Sequence, residues 1–212
     1  MFKPSIQVGG LSPATYTYNA SYKSTNNSSS YTFSTADIGA ADSSRIVAVG
    51  IMGEGGGSTI SSVTIGGNGA TEAAQIAYSD NVSGIYYLEV AAGTTADIVV
   101  NFTASQNRAG ISVYSIYDAA SATPEDTSTG SGTTSATATG LAWSADSVSI
   151  GVAAASNGGV SEWTGLTEDY DSEVESSAYL TSASEANTSA GSGSVVCTSG
   201  GNRTALTVAI WR

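Results

Sequence analysis

The chain has 212 residues, and its formal net charge is −12 because 18 acidic residues outnumber 6 basic ones. It contains no histidine and one cysteine. The lack of histidine excludes Ser-His-Asp and Cys-His catalysis and any His-ligated zinc or iron site built from this chain. A single cysteine excludes an intramolecular disulfide, and six scattered basic residues leave no footprint for nucleic acid or an anionic membrane. We therefore expect a protein that is not an enzyme and has neither a nucleic-acid nor a membrane partner.

The polar residues are mostly uncharged. Ser and Thr account for 61 positions, Gly for 25, and charged residues for only 11% of the chain. Hydrophobic residues nevertheless reach 41%, which indicates a folded domain rather than disorder. The segment Met1-Phe-Lys-Pro-Ser lacks the apolar region of a signal peptide, and no run approaches the length of a membrane span. We expect synthesis in the cytoplasm without a signal peptide.

The first 35 residues differ from the rest because they hold four of the eleven tyrosines. Short candidate strands at 15–18 and 31–33 flank a turn rich in Ser and Asn. Two interpretations remain open: the first hairpin of the following domain, or an arm that docks on a neighbouring subunit. In the second, amphipathic tyrosine side chains form the interface, namely Tyr16, Tyr18, Tyr22 and Tyr31. We accordingly separate residues 1–35 from a β-sandwich domain of residues 36–212.

Period-two alternation and short apolar runs predict strands along the remainder of the chain. The candidates lie at 46–52, 60–65, 73–78, 84–90, 96–103, 109–117, 146–155, 176–182, 193–198 and 204–211. Residues 119–140 are rich in Ser, Thr and Gly, which is typical of a flexible linker, although 135–139 also suits an edge strand. Turn residues recur about every 8–12 residues, which is typical of a sandwich or barrel, and no window favours a helix. The prediction is an all-β antiparallel sandwich, of jelly-roll or Ig-like type.

One stretch is faintly repeated. Ser44-Arg-Ile-Val-Ala-Val-Gly-Ile precedes a glycine cluster, and Asp146-Ser-Val-Ser-Ile-Gly-Val-Ala precedes Asn157-Gly-Gly. Two homologous halves would explain this similarity. Chance in a chain of low complexity would explain it as well, and the composition favours chance.

The order of strand and turn motifs carries a resemblance. The motifs are Ser44-Arg-Ile-Val-Ala-Val-Gly, Val63-Thr-Ile-Gly-Gly, Ile85-Tyr-Tyr-Leu, Val90-Ala-Ala-Gly-Thr-Thr-Ala-Asp-Ile-Val-Val, Arg108-Ala-Gly-Ile-Ser-Val-Tyr-Ser-Ile-Tyr and Ala205-Leu-Thr-Val-Ala-Ile-Trp. This order resembles small β-sandwich virion structural proteins of tailed bacteriophages, of the capsid-decoration, head-fibre or tail type. The resemblance implies a non-enzymatic virion protein, made in the host cytoplasm, whose partners are other virion proteins. The alternative function is a carbohydrate-binding or adhesin module on a phage fibre or bacterial surface.

The scarcity of charge bears on assembly. Exposed sheet edges are usually protected by charged side chains, and few are available here. Packing between subunits would cover such edges. We therefore expect a homo-oligomer, with a trimer as the first hypothesis.

The acidic segment Thr167-Glu-Asp-Tyr-Asp-Ser-Glu-Val-Glu-Ser places carboxylates at every second position. In an extended strand these four side chains share one face, and they are Asp169, Asp171, Glu173 and Glu175. Such a face suits Ca²⁺, which takes six to eight oxygen ligands. The simpler interpretation is a solvated acidic loop, so no cofactor is expected beyond this calcium alternative.

Aromatic residues in the second half of the chain offer a possible sugar platform. The indole and phenol rings of Trp143, Trp163, Tyr170 and Tyr179 can stack on pyranose rings, and the last three form the candidate sugar-binding set. Buried aromatic residues of a sandwich core are the alternative. Paired carboxylates also suit glycoside hydrolysis, but 18 acidic residues supply such pairs by chance.

Overall fold

The structure is a computed structural model that describes residues 12–212. That part of the chain forms seventeen strands and no helix, so the all-β prediction is confirmed. It accordingly contains no helix that could span a membrane. The strands are β1 Thr15–Ser24, β2 Ser28–Asp37, β3 Ile46–Glu54, β4 Ile60–Ile65, β5 Asn68–Gly69, β6 Thr71–Tyr78, β7 Asn81–Glu89, β8 Thr95–Gln106, β9 Arg108–Tyr117, β10 Asp126–Gly132, β11 Ser135–Trp143, β12 Ser147–Ser156, β13 Val160–Thr164, β14 Thr167–Glu175, β15 Ala178–Asn187, β16 Gly191–Ser199 and β17 Arg203–Trp211.

The strands form four antiparallel sheets, two in each half of the chain. Sheet A has the order β1-β9-β3-β7-β6, and sheet B has the order β2-β8-β4-β5. In the second half, sheet C has the order β10-β17-β12-β15-β14, and sheet D has the order β11-β16-β13. Apart from the two-residue β5, each strand of the first half has a counterpart at the same place in the second. The chain is therefore two consecutive sandwiches of one topology.

That topology is a jelly roll, which is one of the two sandwich types predicted from the sequence. The first strand of each half lies beside the last strand, and the second lies beside the penultimate strand in the opposite sheet. The one departure is the fifth strand, β6 or β14, which joins the larger sheet instead of the smaller one. The faint repeat also falls on equivalent elements, because Ile46 begins β3 and Val148 is the second residue of β12, and these are the central strands of sheets A and C.

The sheets stack in the order B, A, C and D, so sheets A and C are covered on both faces. One apolar core lies between B and A, one between A and C, and one between C and D. The central strands β3 and β12 are consequently buried along almost their whole length. A strand covered on both faces has no solvated side and therefore need not alternate apolar with polar residues. This explains the continuous apolar run at 46–52.

An approximate two-fold axis relates the two halves. β3 packs against β12, β7 against β17, and β9 against β15. At the rims, β1 packs against β14 and β6 against β10. Each rim contact thus joins the first strand of one half to the fifth strand of the other. A two-fold axis that passes between β3 and β12 relates the two rim contacts to each other, as it does in an isologous dimer.

The N-terminal segment is part of both sheets of the first sandwich. β1 pairs with β9 and β2 pairs with β8, so the two strands do not pair with each other as a hairpin. Residues 1–11 of the proposed arm lie outside the described residues. Residues 119–140, which suited a flexible linker, contain β10 and most of β11, and only a short connection joins the halves.

Candidate functional site

The four tyrosines proposed as interface anchors make contacts within the chain. Tyr31 is buried, and its hydroxyl lies within hydrogen-bond distance of the carbonyl oxygens of Asn26 and Gln106, so that it can donate to either one. Tyr16 and Tyr18 pack against the core between sheets A and C, and Tyr22 packs against the core between sheets A and B. All four side chains therefore serve the packing of this chain.

The acidic strand β14 does not present its carboxylates on one face. Its pairing with β15 shifts register twice, between Glu168 and Tyr170 and between Glu173 and Glu175. Each shift is a β-bulge, which adds a residue and re-aims the side chains that follow. The alternation assumed for the calcium site is thereby broken.

Asp169 points from β14 toward sheet A. Its Oδ2 accepts hydrogen bonds from the Tyr114 hydroxyl at 2.9 Å and from the Ser184 hydroxyl at 2.6 Å. Burial raises the pKa of Asp169, while these two hydrogen bonds act in the opposite direction. The pKa of Tyr114 is raised well above its usual value, first by its own burial and then by this carboxylate. Asp169 thus belongs to a polar network between the halves.

The other three carboxylates diverge from Asp169. Asp171 is close enough to Cys197 of sheet D to help raise the pKa of that thiol. Glu173 accepts from the backbone N–H of Ser177 at 2.7 Å, within the turn that follows β14, and Glu175 is exposed. Within residues 12–212, no group of three or more His, Cys, Asp or Glu side chains could hold a metal ion. The four side chains do not form the calcium site that the sequence offered as an alternative.

The predicted sugar-binding aromatics do not form one platform either. Trp163 is 9% exposed, and its Nε1 donates to the Thr181 hydroxyl at 2.9 Å in the core between sheets C and D. Tyr170 packs against the core between sheets A and C, on the opposite face of sheet C. Tyr179 is half-buried and lies on the sheet-D face, since its neighbours on β15 face sheet A. A sugar ring therefore cannot contact all three.

A shallow cleft does exist at the edge where β10 and β11 meet. Its cavity volume is about 270 Å³, and its lining residues are Glu125, Asp126, Ala142, Trp143 and Ser144. Trp143 ends β11 opposite Gly191 of β16, and its indole is half-buried. The cleft combines an accessible aromatic ring with two carboxylates and contains no basic side chain.

Both carboxylates of the cleft are fixed by hydrogen bonds. Asp126 accepts from the backbone N–H of Ala142 through Oδ2 at 2.7 Å and from that of Thr127 through Oδ1 at 2.8 Å. Glu125 accepts from the backbone N–H of Ser144 through Oε1 at 2.9 Å and from its hydroxyl through Oε2 at 2.7 Å. Each oxygen keeps a further lone pair that can accept another hydrogen bond.

The sequence pointed to Trp143 as an aromatic able to stack but gave no reason to join it to Glu125 and Asp126. The two acidic residues stand in a segment whose composition suits a linker, and the pairing of β10 and β11 with their sheets brings them beside the indole. The available signal was a pair of adjacent acidic residues in the same segment as the possible edge strand at 135–139.

The sequence also did not indicate the role of Arg45, which is to stabilise the fold. Arg45 is fully buried, and its guanidinium donates to five backbone carbonyl oxygens. Three of these belong to residues 38–40 and two to Val90 and Ala92. Arg45 therefore clamps two loops at one end of the first sandwich.

The comparisons with known proteins supply no relative. No protein-family model matches the chain, and neither a curated protein nor a solved structure shows significant similarity to it.

Proposed function

We propose that this protein is a non-enzymatic structural protein of a bacteriophage virion, where it decorates the capsid or forms part of a head fibre or tail. The observation that carries the proposal is the tandem jelly roll, in which two sandwiches share a buried interface between sheets A and C. Jelly rolls are frequent in viral capsids and in lectins. A four-layer stack suits a rigid building block.

The use of charged side chains supports a scaffold role. The five described basic residues all contact this same chain: Lys23, Arg45, Arg108, Arg203 and Arg212. None of them lines the cleft beside Trp143. The basic side chains of the described residues therefore stabilise the fold.

The outer faces of the stack support packing between subunits. On sheet B, Thr32, Val99 and Thr64 lie side by side across β2, β8 and β4. On sheet D, Thr137, Val196 and Thr164 repeat this row across β11, β16 and β13.

These rows are uncharged, and their residues are exposed or only partly buried. Neighbouring subunits can cover such surfaces without desolvating charge. A homo-oligomer, with a trimer as the first hypothesis, is part of the proposal.

The test is the composition of purified particles. Quantitative mass spectrometry should find the protein at a fixed copy number per particle, in a multiple set by the symmetry of the head or tail. Gold-labelled antibodies viewed by electron microscopy then give its position. Particles that lack the protein, or that carry it at variable trace amounts, would overturn the proposal. Sedimentation equilibrium of the isolated protein tests the trimer separately.

A further inference from the structure

The indole of Trp143 is held as a fixed platform at the cleft. A Cβ atom on Gly191 would lie 2.8 Å from the indole, so the ring packs directly on the glycine backbone. Gly193 continues this bare surface, where a Cβ would lie 3.3 Å from the ring. A ring fixed in this way loses little conformational entropy when a ligand stacks on it.

Trp143 also differs from the other two tryptophans of the chain. Trp211 is fully buried and Trp163 nearly so, whereas Trp143 is half-buried and lines the cleft. A half-exposed tryptophan beside fixed polar groups is a common arrangement in ligand sites.

The polar side of the cleft selects the ligand. Glu125 and Asp126 are held in place by backbone N–H groups, and each carboxylate oxygen keeps a lone pair for a donor. Ligand hydroxyl or ammonium groups can supply such donors. A ligand that carries its own carboxylate, sulfate or phosphate is repelled, because no basic residue lines the cleft.

We propose that this cleft binds one pyranose ring of a neutral or amino sugar. The apolar C–H face of the ring stacks on the indole of Trp143, and adjacent hydroxyl or ammonium groups donate to Glu125 and Asp126. The volume of about 270 Å³ lies just below the usual range for drug-sized ligands, which suits one ring. This binding activity goes beyond the proposed virion role and does not depend on it.

The experiment measures acrylamide quenching of tryptophan fluorescence during titration with defined oligosaccharides. The panel holds neutral glucose-, galactose- and mannose-type sugars, their N-acetylated and free amino forms, and uronic and sialic acids. Because Trp163 and Trp211 are buried, quenching reports on Trp143. We expect saturable protection by at least one neutral or amino sugar and none by the acidic sugars. No saturable protection by any neutral or amino sugar would overturn the proposal.

Two variants assign the binding to the cleft, and isothermal titration calorimetry provides a readout that does not need Trp143. Trp143→Ala should weaken binding at least about tenfold, through loss of stacking. Glu125→Gln keeps the shape and the inner acceptor, and should weaken binding about three- to tenfold through loss of charge. The matched control Glu162→Gln, on an exposed position of β13, should bind as the unmodified chain does. Equal affinity in all three variants would show that any sugar binds elsewhere.

Discussion

Arg108 and Arg203 occupy corresponding positions in the two halves, and each reaches a turn of the other half. Each arginine follows an asparagine and opens the last strand of its sandwich. Arg108 donates to the carbonyl oxygen of Glu175, beside the β14–β15 turn, and Arg203 pairs with the carboxylate of Asp80 in the β6–β7 turn. These turns correspond under the approximate two-fold axis, so the two contacts are reciprocal.

The two arginines should differ in their effect on stability. Arg108 also lies 3.3 Å from the carboxylate of Glu54, and both side chains are largely buried, whereas Asp80 is 49% exposed. We expect Arg108→Ala to lower the free energy of unfolding by about 2–4 kcal/mol, since it leaves the charge of Glu54 without its partner. Arg203→Ala should cost at most about 1 kcal/mol. Urea denaturation of both variants measures this, and equal losses would contradict the asymmetry.

Arg45 should be among the most sensitive positions in the chain. Its five hydrogen bonds to carbonyl oxygens join the loops at 38–40 and 90–92. Arg45→Ala should lower the free energy of unfolding by at least about 3 kcal/mol, because hydrogen bonds from a charged donor are lost together. Lysine lacks the planar fork, so Arg45→Lys should restore only part of the loss. Lys23→Ala, on an exposed position, is the control, and an equal loss there would refute this role.

The carboxyl group of Asp169 should make stability depend on pH. Burial raises its pKa in the folded state, so the folded protein favours the protonated form. Its contribution to stability is therefore fully present below the ordinary carboxyl pKa of about 3.9 and is lost as the pH rises through the raised value. Asp169→Asn, which stays uncharged, should remove this part of the pH dependence. Thermal melts from acid to neutral pH compare the variant with the unmodified chain, and parallel curves would contradict the prediction.

Close packing between sheets A and C should make Gly50 intolerant of a methyl group. A Cβ there would lie 3.0 Å from the Cβ of Val152 across the interface. Gly50→Ala should therefore cost about 1–3 kcal/mol through overpacking. At Gly69 a Cβ would meet nothing within 4 Å, so Gly69→Ala should change stability by less than about 0.5 kcal/mol. Chemical denaturation of both variants measures the difference, and equal effects would mean that the interface can relax.

The thiol of Cys197 should report global unfolding. The side chain is fully buried, and burial, reinforced by the charges of Asp171 and Glu168, raises its pKa to about 12. At pH 8 the thiolate fraction is then about 10⁻⁴. Iodoacetamide should label the native protein negligibly and the urea-unfolded protein completely, as read by intact mass. Rapid labelling without denaturant would show that sheet D opens locally.

The sequence by itself determined the fold class and much of the strand pattern. Turn residues and alternation marked β8 well, because one face of β8 is solvated and its residues alternate accordingly. The jelly-roll type was one of two predicted alternatives. The lack of histidine also limits which catalytic and metal chemistries the chain can build, and composition alone is enough to establish that limit.

Only the tertiary structure decided how the parts meet. The bulges of β14 separate Asp169 from Asp171, and bulges depend on the partner strand rather than on local sequence. The stacking of sheets A and C turned Tyr18 and Tyr170 inward, and the edge strands β10 and β11 brought Glu125 beside Trp143. The sequence of a single strand shows only which of its faces is apolar. Which sheet covers that face depends on contacts between residues far apart in the chain, and the local pattern contains no information about those contacts.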